Sequence, residues 1–302
     1  RDKLVTGVQT CALPIFSGAT VHVLPDVVRA TSLTVPAGQE VDLRTSAAIS
    51  GDVAVAGTLD ASSTALTVGG ELNVAGTGRF LGVGTFGSVT LAGSATATQT
   101  GDWSVAGNFA DLGATYTHND HLLTFTGTST VSGSTALGSL TVATGSQVTA
   151  ANPLTVSGAV NVAGTLNTPG GGLRFVGTGD QAFTSAAALT LGSLLVGPNS
   201  RVVQAPGSAA VTVSGTFDCQ GRISRTLPVS GPGLLDFGLA QARVTVTTLG
   251  TLSSLQCVLV GGDHPNRAVH INGGRYWQFN ETGDGYTVAR SEEHTSELQS
   301  LA

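Results

Sequence analysis

Val55–Leu59 reads VAGTL, and close variants return at Val74 (VAGTG), Val105 (VAGNF), Val162 (VAGTL) and Val213 (VSGTF). Longer units also recur. LTFTGT at Leu123 returns as LRFVGT at Leu173, and LGSLTVA at Leu137 returns as LGSLLVG at Leu191. FGSVTLA at Phe86 precedes LGSLTVA by a similar interval. Each unit carries short runs in which every second residue is apolar, bounded by Gly, Asn, Asp or Pro, which is the strand signal. A four-residue strand cannot bury its own apolar face. Identical strands stacked at about 4.8 Å place their inward Val, Leu, Ile and Phe in continuous columns. Self-similarity with drifting spacing is what stacked repeats leave in a sequence, because loops absorb insertions while strands keep register.

Composition agrees. Charged residues are 11%, aromatics 5% and Gly 42 of 302. A Gly/Ser/Thr-rich chain raises disorder as the first alternative, but a disordered chain lacks the β-branched apolar residues that fill these runs. No window carries a helical period, so the fold class reads as all-β, a parallel β-helix or β-solenoid. At about 20 to 25 residues per coil, the chain between its two ends would supply on the order of eleven to thirteen coils. A β-sandwich is the rival, since its turn spacing also fits locally. The recurring words favour stacking. No stretch has the apolar length of a membrane span.

The words also resemble a broad class of bacterial secreted surface proteins with long, Gly/Thr-rich, right-handed parallel β-helix stalks. The resemblance covers about 66–217 and is strongest over 173–217, LRFVGTGDQAFTSAAALTLGSLLVGPNSRVVQAPGSAAVTVSGTF. It implies an extracellular, non-enzymatic, adhesin-like role. From about Asp236 the rhythm changes. Tyr276, Trp277, Phe279 and Tyr286 crowd into NGGRYWQFNETGDGYTV, and TGDGY is a hairpin signal. Residues 17–235 therefore read as solenoid repeats, and 236–289 as last coils and the start of a truncated β-sandwich module.

Both ends are out of character. RDKLVTGVQTCALPIF at 1–16 holds the only Lys, and RSEEHTSELQS at 290–300 brings three Glu into a weakly charged chain. Both resemble translations of an Illumina-type sequencing adapter, the tail from one strand and Val5–Ile15 from its complement. Lys3, Leu4, Leu301 and Ala302 then constrain one six-base index, and TAGCTT satisfies all four. Residues 1–16 and 290–302 are accordingly expected to be adapter-derived and to make no regular contact with the body. Leaving them out reduces the basic residues from thirteen to ten and the acidic from nineteen to fifteen. The remainder is weakly acidic and lacks Lys, which argues against a nucleic-acid surface, since that needs a basic stripe. The chain contains no Met, so the absence of a leader carries no information about export. Cys219 and Cys257 remain, and spacing does not decide whether they pair.

Several parallel β-helix families are polysaccharide lyases, hydrolases or esterases that set carboxylates from adjacent coils on one face. Asp102, Asp111, Asp120, Asp180 and Asp218 are the candidates here, and a pair would need to lie about 5 to 10 Å apart. Asp102 and Asp180 sit in the look-alike words TGDW and TGDQ, where Asp is an ordinary turn residue. THNDH, Thr117 to His121, gathers His118, Asp120 and His121, yet three ligands on one loop without a distant partner favour a polar loop over a metal centre. NETGDG, Asn280 to Gly285, lacks the alternating Asp pattern and distal Glu of a calcium loop, so a turn is favoured. His264 and His270 have no visible partner. The expectation is a structural stalk or adhesin-like fragment of an exported bacterial surface protein. It would have no catalytic, cofactor-binding or metal residue and no cofactor. Its partners would be surface glycans or neighbouring modules of the same protein. A carbohydrate-active β-helix enzyme is the alternative.

Overall fold

In a computed structural model, the structure describes residues 21–24, 28–133, 135–262, 275–283 and 287–291. The chain is a parallel β-solenoid of about ten turns, and it divides into two compact units, 1–173 and 174–302.

In the first unit every turn supplies three short strands, and each strand pairs in parallel with its counterpart one turn on. One ladder runs from Val21–Leu24 through Glu40–Leu43 to Thr115–Thr117. A second runs from Val28–Ala30 through Ala47–Ile49, Leu122–Phe125 and Ser139–Val142 to Val160–Val162. The third runs from Leu33–Val35 through Val53–Val55, Phe109–Leu112, Thr128–Gly133 and Gln147–Ala150 to Thr165–Asn167. Thr58–Val74 and Arg79–Ala92 pass unbroken through all three ladders. Partners lie between 17 residues apart (Leu123 and Leu140) and 22 apart (Phe109 and Val131).

Alternation explains the interior. Val41, Leu43, Ala47, Ile49, Val53 and Val55 point inward and are buried, as are Leu59, Leu66, Val68, Leu72 and Val74 one turn later. The VAGT word is a corner. At Gly57 a Cβ would lie 2.2 Å from the Gln39 carbonyl oxygen and 2.3 Å from that of Pro36. At Gly164 it would lie 2.3 Å from that of Ser146. Only glycine lets the chain pass so close to the preceding turn.

The parallel arrangement was expected; the sheet assignment of the words was not. SLTVA was expected to share one sheet with SLLVG, and NVAGTL with VSGTF. In fact Ser139–Val142 pairs with Leu122–Phe125 and Val160–Val162, Leu194–Val196 pairs with Phe217–Cys219, and Val211–Val213 pairs with Leu189–Leu191. These are strands of different sheets. The reason is visible within the first unit. Phe86 of FGSVTLA ends a second-ladder strand, whereas Leu137 of LGSLTVA ends the strand before Ser139–Val142. Fifty-one residues is not a whole number of turns. All corners pose the same steric problem, so one word serves any of them.

In the second unit the ladders Asp180–Ser185 with Arg201–Gln204 with Arg222–Pro228, Leu189–Leu191 with Val211–Val213, and Leu194–Val196 with Phe217–Cys219 are parallel. Pairing then changes direction. Arg222–Pro228 takes Ser254–Gly261 antiparallel, which takes Arg275–Thr282. Gly233–Asp236, Arg243–Thr248 and Thr287–Ser291 form a separate antiparallel sheet. Phe237, Leu239, Ala240, Val244, Leu255, Cys257 and Leu259 are buried here. Among the described residues, the strands flanking TGDGY pair with different neighbours, Arg275–Thr282 with Ser254–Gly261 and Thr287–Ser291 with Arg243–Thr248, and not as the expected hairpin. Arg290 and Ser291 continue the last strand opposite Val244 and Arg243, against the expectation of no regular contact from residue 290. Main-chain pairing needs no particular side chain, which is why a ladder extends across that boundary. Residues 1–20 and 292–302 lie outside the described residues.

Candidate functional site

THNDH forms the polar loop expected of it. His118 to Asp120 leaves the strand geometry, with Asn119 and Asp120 both at positive φ (46° and 60°). The Asp120 N–H donates to His118 Nδ1 (2.9 Å), which leaves that ring's proton on Nε2. Ser157 Oγ donates to Asp120 Oδ1 (3.3 Å). One turn earlier, Asp102 Oδ1 accepts the Leu122 N–H (2.9 Å) and lies 3.8 Å from His121 Nδ1. The outer surface here thus gathers two imidazoles, two carboxylates and a hydroxyl. Their bonds run to backbone or to each other, and among the described residues Ser157 is bonded to Asp120 and to the carbonyls of Leu137 and Gly138, not to an imidazole. Among the described residues no group of three or more His, Cys, Asp or Glu is placed to hold a metal.

Asp102 belongs to a wider pattern. Asp52 Oδ1 accepts the Glu71 N–H (2.8 Å), Asn108 Oδ1 the Thr130 N–H (3.0 Å), and Ser139 Oγ the Ala159 N–H (3.1 Å). In each case a short polar side chain at a corner satisfies a main-chain donor one turn on. Such donors are costly to bury unpaired.

Asp111 is not at the surface at all. It follows Phe109 in inward phase and is 7% exposed. Burial raises its carboxyl above the usual range, opposed by the N–H groups of Ala114 and Gly113. Nearby in the coil, Tyr116 donates to Gln99 Oε1, and Gln99 Nε2 donates to the carbonyls of Gly101 and Leu122 (both 3.3 Å). Burial, then the charge of Asp111, raises the Tyr116 phenol. Both polar atoms of the Gln99 side chain are engaged, so this is a satisfied polar network.

In the second unit Asp180 pairs with Arg201 one turn on (3.0 Å), and Asp218 accepts from Gln220 (2.8 Å). Cys219 and Cys257 are both buried and are not joined by a disulfide, which answers the pairing question. Burial pushes the Cys219 thiol up to about 12, opposed by Arg275, so it is inert at neutral pH. Asn280 lies in a strand and bonds Gln256 (2.9 Å), so the start of NETGDG is strand and not turn. His264 and His270 lie outside the described residues.

Sequence reasoning passed over Gln204 and Arg225. They are register partners, and Phe183 partners Gln204 in turn, so an inward column passes from Phe to Gln to Arg. Gln204 Oε1 accepts the Leu239 N–H (2.9 Å). Arg225 donates to the carbonyls of Pro206, Ser208 and Asp236, and burial lowers its pKa despite Asp236. The alternation in RISRTLP puts Arg225 in phase with Ile223, and that was the available signal.

Two depressions stand out. One of about 410 Å³ lies at the Gly57 corner, lined by Gln39, Glu40, Thr58 and Thr77, with Glu40 its only titratable group. The other, about 330 Å³, lies between Val211–Val213 and the antiparallel strands, beside Asp236, Gln241, Arg243, Arg275 and Trp277. Compared with protein-family models, curated proteins and solved structures, the chain matches none.

Proposed function

We propose that this chain is a non-enzymatic structural segment of an exported bacterial surface protein, a β-solenoid that spaces other modules and presents its outer faces for adhesion. The observation that carries this reading is how the surface carboxylates are engaged. Asp52 and Asp102 satisfy main-chain donors of the next turn, and Asp180 and Asp236 sit in ion pairs with Arg201 and Arg243. Catalysis needs several titratable groups converging in one pocket with shifted pKa values. Here the acidic groups raised by burial, Asp111, Tyr116 and Cys219, lie apart from these surface carboxylates, which bond main chain or Arg. The resemblance to secreted stalks supports the bacterial surface and the adhesin-like role, with surface glycans or neighbouring modules as partners.

A carbohydrate-active enzyme is the second reading, and the surface group of Asp102, His118, Asp120 and His121 is what favours it. Assay of the chain against uronic-acid and neutral polysaccharides separates the two. No turnover is expected. Turnover that disappears in Asp102→Ala, Asp120→Ala or Asp180→Ala would replace the structural reading with the enzymatic one.

A further inference from the structure

Among the described residues, the cleft beside Val211–Val213 carries an open sheet edge and the Arg275 guanidinium. Leu189 donates to the Ala210 carbonyl, and the Ser214 N–H donates to that of Leu191. In a parallel ladder this phase turns Ala210, Thr212 and Ser214 toward Leu189–Leu191, and the N–H and C=O groups of Val211 and Val213 away from it. The face they point to is the cleft. Open edges of this kind are templates for another strand. Across the cleft, Arg275 stacks over the Phe217 ring, 5.1 Å from its centroid. Among the described residues it has no carboxylate partner, whereas its neighbour Arg243 is held by Asp236 (3.2 Å). Trp277 is fixed by its own N–H to the Ala240 carbonyl (2.7 Å). The cleft therefore presents a net positive charge, a rigid aromatic wall and main-chain donors and acceptors at strand spacing.

We propose that this cleft takes the end of an extended polypeptide, about three residues adding as a strand to Val211–Val213 with their terminal carboxylate on the Arg275 guanidinium. The alternating N–H and C=O groups favour a peptide over a sugar, because a sugar cannot complete a ladder. The guanidinium selects a carboxylate over a neutral end.

The test uses the full chain and two probes, acetyl-Thr-Val-Thr-Val-Thr with a free carboxylate and the same peptide as its amide. Binding is read by the fluorescence of Trp277, since the other indole, Trp103, is buried and hydrogen-bonded. The acid should bind saturably and the amide about tenfold more weakly. Arg275→Gln should bring the acid to the level of the amide. Val213→Pro, which removes one outward N–H without touching the existing ladder, should weaken both. No saturable change with the acid, or equal affinity for acid and amide, would overturn the proposal, and neither result depends on a variant folding. Binding of oligogalacturonate that the acid peptide fails to displace would also overturn it, in favour of a sugar site.

Discussion

Two stretches of the first unit solve the same packing problem differently. Turns 40–55 and 58–74 fill the coil with Val, Leu, Ile and Ala alone. Turns 79–92 and 96–112 set Phe80, Phe86, Trp103 and Phe109 among the aliphatic Val89, Leu91, Ala97 and Val105, and Tyr116 of the next turn joins the rings in one aromatic cluster with centroids 5.2 to 6.0 Å apart. The aromatics fit because their neighbours shrink. Along one inward column Leu43 and Ala61 give way to Gly82, and along another Leu66 gives way to Gly84 before Trp103. At Gly82 a Cβ would lie 2.7 Å from Phe80 Cζ. A coil of nearly constant cross-section thus exchanges many medium side chains for few large ones set against glycine. The same exchange brings polar atoms inside, since Trp103 Nε1 must find an acceptor and takes the Gly82 carbonyl (2.8 Å).

The comparison is broken most directly at Trp103. Trp103→Ala removes the largest buried side chain, faces its void with Gly84 and leaves the Gly82 carbonyl unpaired. A loss of about 3–5 kcal/mol is expected in urea unfolding, at the upper end of that range. Leu66→Ala, in the aliphatic turns and the same column, should cost less, about 2–3 kcal/mol. Equal losses would mean that the aromatic turns hold together no differently from their neighbours.

Much of this was legible, and the illegible part has physical causes. The parallel stack follows from alternation plus glycine corners, as VAGTL at Val55 and Val162 shows. Which ladder a word joins was not legible, because the corner after Val55 and the corner after Val105 separate different pairs of strands yet meet the same steric demand. Asp111 was read as a surface candidate because a carboxylate is expected in water. The phase of FADL, with Phe109 inward, places it inside. Gln99 had less signal, since TATQT is polar or small throughout. The Asp102 and His121 approach was out of reach because it joins residues one turn apart whose register depends on loop length.

The glycines sharpen the comparison at a middle magnitude. Gly82→Ala puts a methyl against Phe80, whose ring is held by Phe86 (6.0 Å) and Trp103 (5.6 Å) and cannot swing away. Overpacking of this kind costs about 1–3 kcal/mol. The double variant Phe80→Leu with Gly82→Ala should recover part of that loss, because the smaller side chain vacates the contested space. Additive losses in the double variant would show that Gly82 serves the backbone rather than the ring.

The smallest expected effect concerns the polar residues that came in with the aromatics, and it is read as a pH dependence. Burial raises the Asp111 carboxyl in the folded chain above its unfolded value of about 4. Between those two values the folded state holds a proton that the unfolded state has released. Stability therefore falls as pH rises through that window and stays lower above it. The backbone N–H groups of Ala114 and Gly113 oppose the shift without cancelling it. Asp111→Asn keeps an oxygen for the Ala114 N–H and removes the titration. The variant should be the more stable protein at neutral pH, and its stability should be flatter than the parent's from about pH 4 upward. The aliphatic turns contain no such buried group, so Val55→Thr, three turns earlier in the same inward column, should shift stability equally at every pH. A parent chain whose urea midpoint rises with pH across that window, with Asp111→Asn unable to change the slope, would place the Asp111 carboxylate in contact with solvent and remove it from the interior network.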